Sequence, residues 1–359
     1  MNNKITAMAV AAALTAPMFA VEAAPKVYGR LQVEYASISN SSASVDDING
    51  IVDNKMGRFG FKGSEDLGGG LKAIYAMEFG LETTENVSGA NSFFDREKYV
   101  GLKIGKNHTI QAGALKSPYK YMGGVKYDTF VATTLQARDG STNVRGGAAS
   151  GDDLQGNSGG AMSGGVLGHG GFLENSISYI GKFKPVRVWL VTNLDESKGE
   201  TAETAIGVDA KVGSFHFGIA GTSKDNCLAT ANNCTGGQGG SDSSKIFGSW
   251  SKAGHTIRAQ VENVETDNSA GVNQGETDYI YLNYQFKMGK HLIDVAVGER
   301  DEDIVAGDDD EDWTRVAYAY NFSKKTRVFA GIAETDAVDA SDPTKNDWDT
   351  FSIGMTVKF

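Results

Sequence analysis

A two-residue alternation of apolar and polar side chains runs through most of this chain. Near the beginning, Leu31, Val33 and Tyr35 alternate with polar neighbours, and the same pattern fills residues 350–359, which end on Phe359. Successive side chains of a β-strand point to opposite faces of the sheet. The period therefore predicts strands with one apolar face and one polar or charged face.

About sixteen segments of roughly ten residues show this alternation, a length that suits tilted strands crossing a bilayer. They are 26–38, 52–63, 70–82, 95–105, 108–117, 173–183, 185–195, 201–212, 214–223, 244–252, 255–265, 276–288, 290–300, 311–322, 325–335 and 348–359. Only 5 residues are proline. Scarce proline suits long hydrogen-bonded ladders, because each proline in a strand removes a donor.

The connections between these segments alternate between tight turns and longer polar loops. The eight longer connections are 39–51, 83–94, 118–172, 196–200, 224–243, 266–275, 301–310 and 336–347. All long loops would then lie at one end of the sheet. An even number of strands places both termini at the other, short-turn end, which is periplasmic in bacterial barrels.

The charged residues of these segments decide between two all-β folds. A soluble sandwich would point its apolar face inward, whereas in a membrane the apolar face meets lipid and the polar face lines a wet lumen. Closure also removes unpaired strand edges, which hydrocarbon does not tolerate. We therefore predict a transmembrane antiparallel 16-stranded β-barrel. A secreted all-β protein with one solvated sheet face is the alternative. The charged or polar residues predicted to face the lumen are Arg30, Arg58, Lys62, Lys72, Glu78, Arg258, Gln260 and Glu262.

The first 23 residues have the layout of a secretory signal peptide. Lys4 supplies positive charge, residues 5–14 are almost continuously apolar, and small residues allow cleavage after Ala23 or Ala20. Residues 24–359 would then form a single barrel domain. Beyond the signal there is no run of 18 apolar residues, so no transmembrane helix is predicted.

Residues 118–172 form a connection too long for a simple loop, and such loops are commonly functional or disordered. The first part, 118–139, carries aromatic and aliphatic residues that could pack against a wall. We predict that it folds into the pore and places Asp128 and Asp139 opposite basic wall residues, since opposed charges across a narrow gap sort solutes. The alternative is a mobile extracellular loop. For 140–171, which are rich in glycine and serine, no prediction is made.

Charge and cysteine content restrict the binding partners. A net charge of −11 argues against nucleic acid, because phosphates require a basic surface. Cys227 and Cys234 are predicted to form a local disulfide in an exported loop. The acidic residues of 301–312 predict a solvated loop, and binding of divalent ions is the alternative. No cofactor and no defined metal site is predicted.

Two short motifs that occur in enzymes lack their partner residues. Ser158 sits in a glycine-rich string similar to that around a protease nucleophile, but no oriented histidine base accompanies it. Ser117 and Lys120 fit a Ser-x-x-Lys pattern whose companion motifs are absent. The chain is therefore predicted not to be an enzyme.

Several longer strings resemble the general porins of Gram-negative bacteria, in the branch with neisserial and other proteobacterial porins. The resemblance implies a sixteen-stranded barrel in the outer membrane, a homotrimer, a constriction loop after strand five, and a last strand, ending at Phe359, that the barrel-assembly machinery reads. The strings are VYGRLQVEY (27–35), GRFGFKGSEDLGGGLKAIYAMEFGLE (57–82), REKYVGLKIGK (96–106), SPYK (117–120), NSISY (175–179), YAYNFSKKTRVFAGI (318–332) and FSIGMTVKF (351–359).

By position, Arg30, Arg58 and Lys62 resemble the basic wall of that family, and Asp128 with Phe130 resembles the start of its constriction loop. Lys72 is a further wall candidate, and Arg96 is expected near the rim. The family's usual Arg-Gln pair before the Ser-Pro step is replaced by Ala114-Leu115, and a usual arginine is missing from 171–174. These departures leave the sign of any ion selectivity open.

The expected function is a passive channel for small hydrophilic solutes and ions, surrounded by outer-membrane lipid and lipopolysaccharide, with both termini in the periplasm. Two alternatives remain. A barrel used as an adhesin or anchor would depend on its loops rather than its lumen, and a soluble β-rich enzyme would need a catalytic cluster.

Overall fold

The computed structural model describes residues 25–40, 47–52, 57–81, 83–84, 93–131, 133–136, 172–194, 203–225, 240–267, 270–304, 307–308, 310–338 and 347–359. The predicted signal peptide and residues 140–171 lie outside these ranges. So do Asp139, Cys227 and Cys234, so the second proposed loop carboxylate and the disulfide stay predictions.

Within those ranges, eighteen strand segments pair into one closed antiparallel sheet. They are β1 (Lys26–Asn40), β2 (Ile48–Val52), β3 (Gly57–Gly68), β4 (Leu71–Leu81), β5 (Phe93–Ile104), β6 (His108–Leu115), β7 (Leu173–Phe183), β8 (Val186–Asn193), β9 (Glu203–Val212), β10 (Phe215–Lys224), β11 (Ser241–Lys252), β12 (His255–Asp267), β13 (Asn273–Met288), β14 (His291–Ile304), β15 (Gly307–Asp308), β16 (Asp310–Asn321), β17 (Thr326–Val338) and β18 (Trp348–Lys358).

These segments make sixteen barrel strands. Both β2 and β3 pair with β1 and together form one strand of the barrel, and β15 and β16 likewise share β14 as partner. The sheet closes through β1, where Arg30 lies opposite Arg58 on one side and Lys358 on the other. The predicted antiparallel sixteen-stranded barrel is confirmed.

Strands extend further than predicted at the end with long loops. β11 begins at Ser241, β13 begins at Asn273 and β14 continues to Ile304. The added residues are mostly polar, so the apolar alternation does not mark them. Backbone pairing continues there because the ladder needs hydrogen bonds rather than apolar side chains.

The two faces of the sheet are inverted relative to a soluble protein. One face, called here the apolar face, is exposed and carries large hydrophobic residues such as Val100 and Ile246, each 67% exposed. The opposite, polar face carries buried Glu262 and Arg315, each 1% exposed. A continuous exposed apolar surface of this extent is what a lipid environment requires. This arrangement excludes the secreted fold with a solvated sheet face.

The last residue closes the seam between the first and last strands. The amide of Phe359 donates to the carbonyl of Gly29 at 3.1 Å, and the amide of Gly29 donates back at 3.2 Å. A Cβ atom at Gly29 would lie 2.1 Å from the Phe359 ring. Only glycine at this position lets the terminal ring lie against β1.

Helical structure among the described residues is limited to a turn at Pro118–Tyr121 and a 3₁₀ turn at Gly124–Lys126. No helix in this part of the chain is long and apolar enough to cross a membrane.

Candidate functional site

Residues 116–136, called here the anchored segment, leave β6 and contact the polar face of the barrel strands. Ser117 starts the first helical turn, since its Oγ accepts a hydrogen bond from the Lys120 amide at 3.1 Å. Pro118 follows at the first position of the turn, where its missing N–H costs nothing. The turn directs Tyr119 toward the wall.

Tyr119 is the first anchor of this segment. Its hydroxyl donates to Glu262, and its backbone carbonyl accepts from Lys245. The Lys245 ammonium also lies 4.3 Å from the centre of the Tyr119 ring. Both charged side chains are at most 3% exposed, so the loop tyrosine satisfies two wall charges that would otherwise be costly to bury.

Gly123 allows the segment to approach the wall closely. Its φ of +67° lies in the left-handed region, which other residues adopt only with strain. A Cβ atom here would lie 2.6 Å from Oε1 of Gln260 and 2.8 Å from the Phe247 ring. The next amide, that of Gly124, donates to the same Gln260 oxygen at 2.8 Å.

Tyr127 joins the segment to a small charged network on β8–β10. Its hydroxyl lies 3.2 Å from Nδ1 of His216, whose Nε2 is 3.0 Å from Asp209. Arg187 forms a two-pronged ion pair with the same carboxylate, at 2.9 and 2.5 Å. The backbone carbonyl of Tyr127 accepts from Tyr281 at 3.3 Å.

Asp128 is the second anchor, and its partner is an arginine of β16. Arg315 donates to Asp128 at 2.6 Å and to Asp294 at 2.5 Å, and all three side chains are fully buried. The same arginine donates to the Leu135 carbonyl at 2.8 Å, and Asp128 also accepts from the Phe130 amide at 2.9 Å. One guanidinium therefore ties two points of the segment to the wall.

Phe130 packs between two wall arginines. The guanidinium carbons of Arg315 and Arg327 each lie 5.1 Å from the centre of its ring, and Phe329 contacts it edge-on at 5.8 Å. Arg327 also donates to the Thr129 carbonyl at 3.2 Å. Cation–π contacts of this kind stabilise a desolvated aromatic ring.

Glu34 of β1 holds the far end of the segment. Its carboxylate accepts from the amide and hydroxyl of Thr134 at 3.1 and 2.9 Å, and from Ser352 at 2.7 Å. The carboxylate is thus satisfied by three donors. From Tyr119 to Thr134 the segment follows the polar face from β12 to β1.

The predicted basic wall residues divide into two groups. Arg58 and Arg96 share one carboxylate, Glu78, at 3.8 and 2.7 Å. Arg96, which was expected near the rim, is 6% exposed. Arg30 lies opposite Arg58 in the sheet and donates to Gln32 at 2.5 Å.

Lys62 and Lys72 are exposed, and among the described residues an ion pair is recorded for Lys72 alone. The Lys62 ammonium lies 4.8 Å above the Tyr28 ring. Lys72 forms an ion pair with Asp66 at 2.9 Å next to the short turn between β3 and β4. Lys62 lies opposite Lys26 and four residues along β3 from Arg58, a separation of about 13 Å. Lys72 lies beside Asp66 at the turn that follows β3.

Five carboxylates of the polar face are buried and hydrogen-bonded. Glu34, Glu78, Asp209, Glu262 and Asp294 are each at most 6% exposed. Their partners are described above. Exposed positive charge includes Lys62 and Lys358 on the strands and Lys126 on the anchored segment; Lys72 is also exposed but is paired with Asp66.

Lys126 stands in an electropositive environment. Partial desolvation, followed by the positive charges of Lys116 and Arg58, lowers the pKa of this lysine below its usual value. The anchored segment thus brings one more cation close to the basic wall residues.

Sequence reasoning selected Asp128 and the basic residues of β1 and β3, but it missed Arg315, Lys245 and Arg327. The two-residue period places each of these three residues on the polar face, so the sequence could have identified them as wall residues. Among the residues that the structure describes, no group of three or more histidine, cysteine or acidic residues could hold a metal ion.

Comparison with known proteins agrees with this architecture. Residues 6–340 match the Gram-negative porin family. The chain belongs to that family. Membership of this family and the barrel together place the protein in the outer membrane.

Sequence identity to individual porins is limited to part of the chain. The chain is 33% identical over 129 residues to the major outer membrane protein P.IB of Neisseria gonorrhoeae, covering 34% of each chain. It is 32% identical over 137 residues to protein P.IA of Neisseria meningitidis serogroup B, covering 33% and 34%. The alignments span about a third of the length of these relatives.

Solved porin structures match nearly the whole chain in fold. The anion-selective porin from Comamonas acidovorans superposes with a TM-score of 0.74 at 18% identity, covering 94% of this chain and 99% of that one. The trimer form of OmpT from Vibrio cholerae gives 0.67 at 14% identity, with coverage of 93% and 99%. Family and fold point to a channel rather than an enzyme.

Proposed function

We propose that this porin is a passive diffusion channel for small hydrophilic solutes and ions, without catalytic activity. The observation that carries the proposal is the inverted barrel: the exposed face is apolar, while buried charges such as Glu262 and Arg315 lie on the other face. In a bilayer the polar face of a closed barrel encloses water. Solutes would cross along that face down their concentration gradients.

We further propose that the anchored segment lies inside the lumen and sets its narrowest cross-section. Its described partners on the barrel are polar-face residues, from Glu262 on β12 through Arg315 on β16 to Glu34 on β1. A segment held at several points presents a fixed surface to passing solutes. Because Asp128 is bound to Arg315, it holds the segment in place rather than facing the basic wall across a gap.

The charge arrangement supports a preference for anions. Five carboxylates of the polar face, from Glu34 to Asp294, are buried and bonded to donors, whereas Lys62, Lys126 and Lys358 are exposed. A ring of positive side chains raises the local anion concentration. The related fold from Comamonas acidovorans is described as anion-selective. The sequence left the sign of ion selectivity open, and we propose that the channel prefers anions.

Assembly and environment follow the same reasoning. We propose a homotrimer, as in the trimer form of the OmpT neighbour. The apolar face would contact lipid, and the long-loop end would contact lipopolysaccharide. The beginning of β1 and the end of β18 lie at the short-turn end, and we propose that this end, with both termini, faces the periplasm. Phe359, 49% exposed beside β1, would be the residue that the barrel-assembly machinery reads.

Purified, folded protein in planar bilayers tests this function. A trimeric channel predicts stepwise conductance that appears and closes in groups of three. Folded protein that inserts without any conductance steps would contradict the channel and favour an anchor or adhesin. Single, independent steps would retain the channel and contradict the trimer.

A further inference from the structure

A small cavity at the short-turn end of the barrel is lined by five basic residues. Its volume is about 210 Å³, and the cations are Arg30, Lys324, Lys325, Arg327 and Lys358. The remaining lining residues, which include Thr129 of the anchored segment, are neutral. Among the described residues no carboxylate lines the cavity, although the chain as a whole has a net charge of −11.

The nearby carboxylates are bound elsewhere. Asp128 and Asp294 are held by Arg315, and Glu34 accepts from Thr134 and Ser352. The positive charges of Arg30 and Lys358, by contrast, repel each other and that of Arg327. An anion in the cavity would relieve this repulsion.

The cationic groups are held in place by the fold. The guanidinium of Arg327 donates to the Thr129 carbonyl and stacks on Phe130. The two lysines sit on a turn in which Ser323 accepts from the amides of Lys325 and Thr326, at 3.0 and 3.1 Å. The Lys358 amide is bonded to the Lys325 carbonyl at 2.8 Å, which ties the turn to β18.

Arg30 adds a hydrogen-bond donor to the cavity. Its Nη2 group donates to Gln32, but its buried Nε has no hydrogen-bond partner among the described residues. Buried guanidinium donors are normally satisfied. Guanidinium forks match the geometry of tetrahedral oxyanions, and ammonium groups add point charge.

We propose that this cavity is a binding site for a small multivalent oxyanion of the phosphate type, at the inner mouth of the channel. The site deepens the proposed function, on which its role in transport rests. A solute that pauses here would be concentrated at the short-turn end. Binding itself depends only on the folded barrel.

Isothermal titration calorimetry with inorganic phosphate, on the folded protein at low salt, tests the site. Saturable binding of one phosphate per chain is expected. The variant K324Q/K325Q should weaken it roughly tenfold or more, because charge-assisted contacts are strong enough for such a loss. The control K106Q/K184Q removes the same charge from two other short turns and should change affinity less than about twofold.

Three results would overturn the proposal: no saturable heat with the unmodified protein, an equal loss in both double variants, or equal affinity for chloride. If K324Q/K325Q does not fold, K358Q replaces it and carries the same expectation. Failure of the phosphate site can be distinguished from failure of the proposed channel function. A protein that conducts without binding phosphate fails only the site, and one that binds phosphate without conducting fails only the channel.

Discussion

Asp128 of the anchored segment accepts a 2.6 Å hydrogen bond from Arg315 of β16, and neither side chain is accessible to solvent. Arg315 also holds Asp294 at 2.5 Å. Burying these charges costs several kcal/mol per ion unless each is paired. If the segment left the wall, Asp128 and Arg315 would lose their ion pair. The three bonded side chains, Asp128, Arg315 and Asp294, therefore fix its position.

Replacing Arg315 tests that role. Arg315→Met leaves two buried carboxylates without their cationic partner and should lower the free energy of unfolding by about 3–5 kcal/mol. Release of the anchored segment should also raise single-channel conductance. Thermal unfolding followed by circular dichroism, together with bilayer recordings, measures both effects.

Arg327→Met is the matched control, since Arg327 also stacks on Phe130 at 5.1 Å but donates to a backbone carbonyl rather than a buried carboxylate. Its loss should cost about 1–2 kcal/mol. Equal destabilisation by the two variants would mean that stacking on Phe130, not the ion pairs, anchors the segment.

Gly123 should tolerate no side chain. Gly123→Ala places a Cβ atom 2.6 Å from Gln260 and 2.8 Å from Phe247, so the segment must move off the wall. Conductance and its noise should rise. Gly213→Ala is the control, because Gly213 has a similar φ of +59° with open space around it. That variant should show only backbone strain, about 1 kcal/mol. Unchanged conductance in Gly123→Ala would refute the proposed constriction.

The sequence was sufficient for the barrel because alternation and turn spacing are local signals. Strand positions agree with the observed bounds to within a few residues. The sequence singled out Asp128 as a loop carboxylate opposite basic wall residues across a gap, and in the structure Asp128 is bonded directly to Arg315. The predicted partner was a residue of the basic wall. The observed partner, Arg315, is 187 residues away in the chain, and alternation alone says nothing about which wall residue a loop will reach.

The burial of Arg96 is a second feature that the sequence pattern did not predict. A register shift between Met77 and Phe79 changes the pairing of β4 with β5, and bulges of this kind redirect side chains. Arg96, next to this irregularity, bonds to Glu78 at 2.7 Å and is buried. A regular two-residue period does not predict where such an irregularity occurs.

Lys62 should contribute to anion preference more than Lys72. Lys62→Gln removes an exposed charge from β3, the strand that also carries Arg58, and should reduce the chloride-to-potassium permeability ratio roughly twofold to threefold. In Lys72→Gln the lost charge was already compensated by Asp66 at 2.9 Å, so the ratio should change little. Reversal potentials in a salt gradient measure both. A larger effect at Lys72 would contradict the assignment of the selective wall.

Lys126 should make anion preference sensitive to alkaline pH. Because desolvation and neighbouring cations lower its pKa, its positive charge is present at neutral pH and is lost as pH rises toward the ordinary lysine value of about 10.4. Anion preference should therefore fall within this interval. In Lys126→Gln the preference should be lower at neutral pH and this step should be absent. The same fall in both proteins would assign the titration to another group.

The reversal potential of the unmodified protein, in a planar bilayer under a potassium chloride gradient, tests the central claim most directly. Buried, bonded carboxylates and exposed lysines on the polar face predict stepwise currents with a reversal potential displaced toward that of chloride. A displacement toward the potassium value would show that the exposed cations do not govern the pore, and would contradict this account.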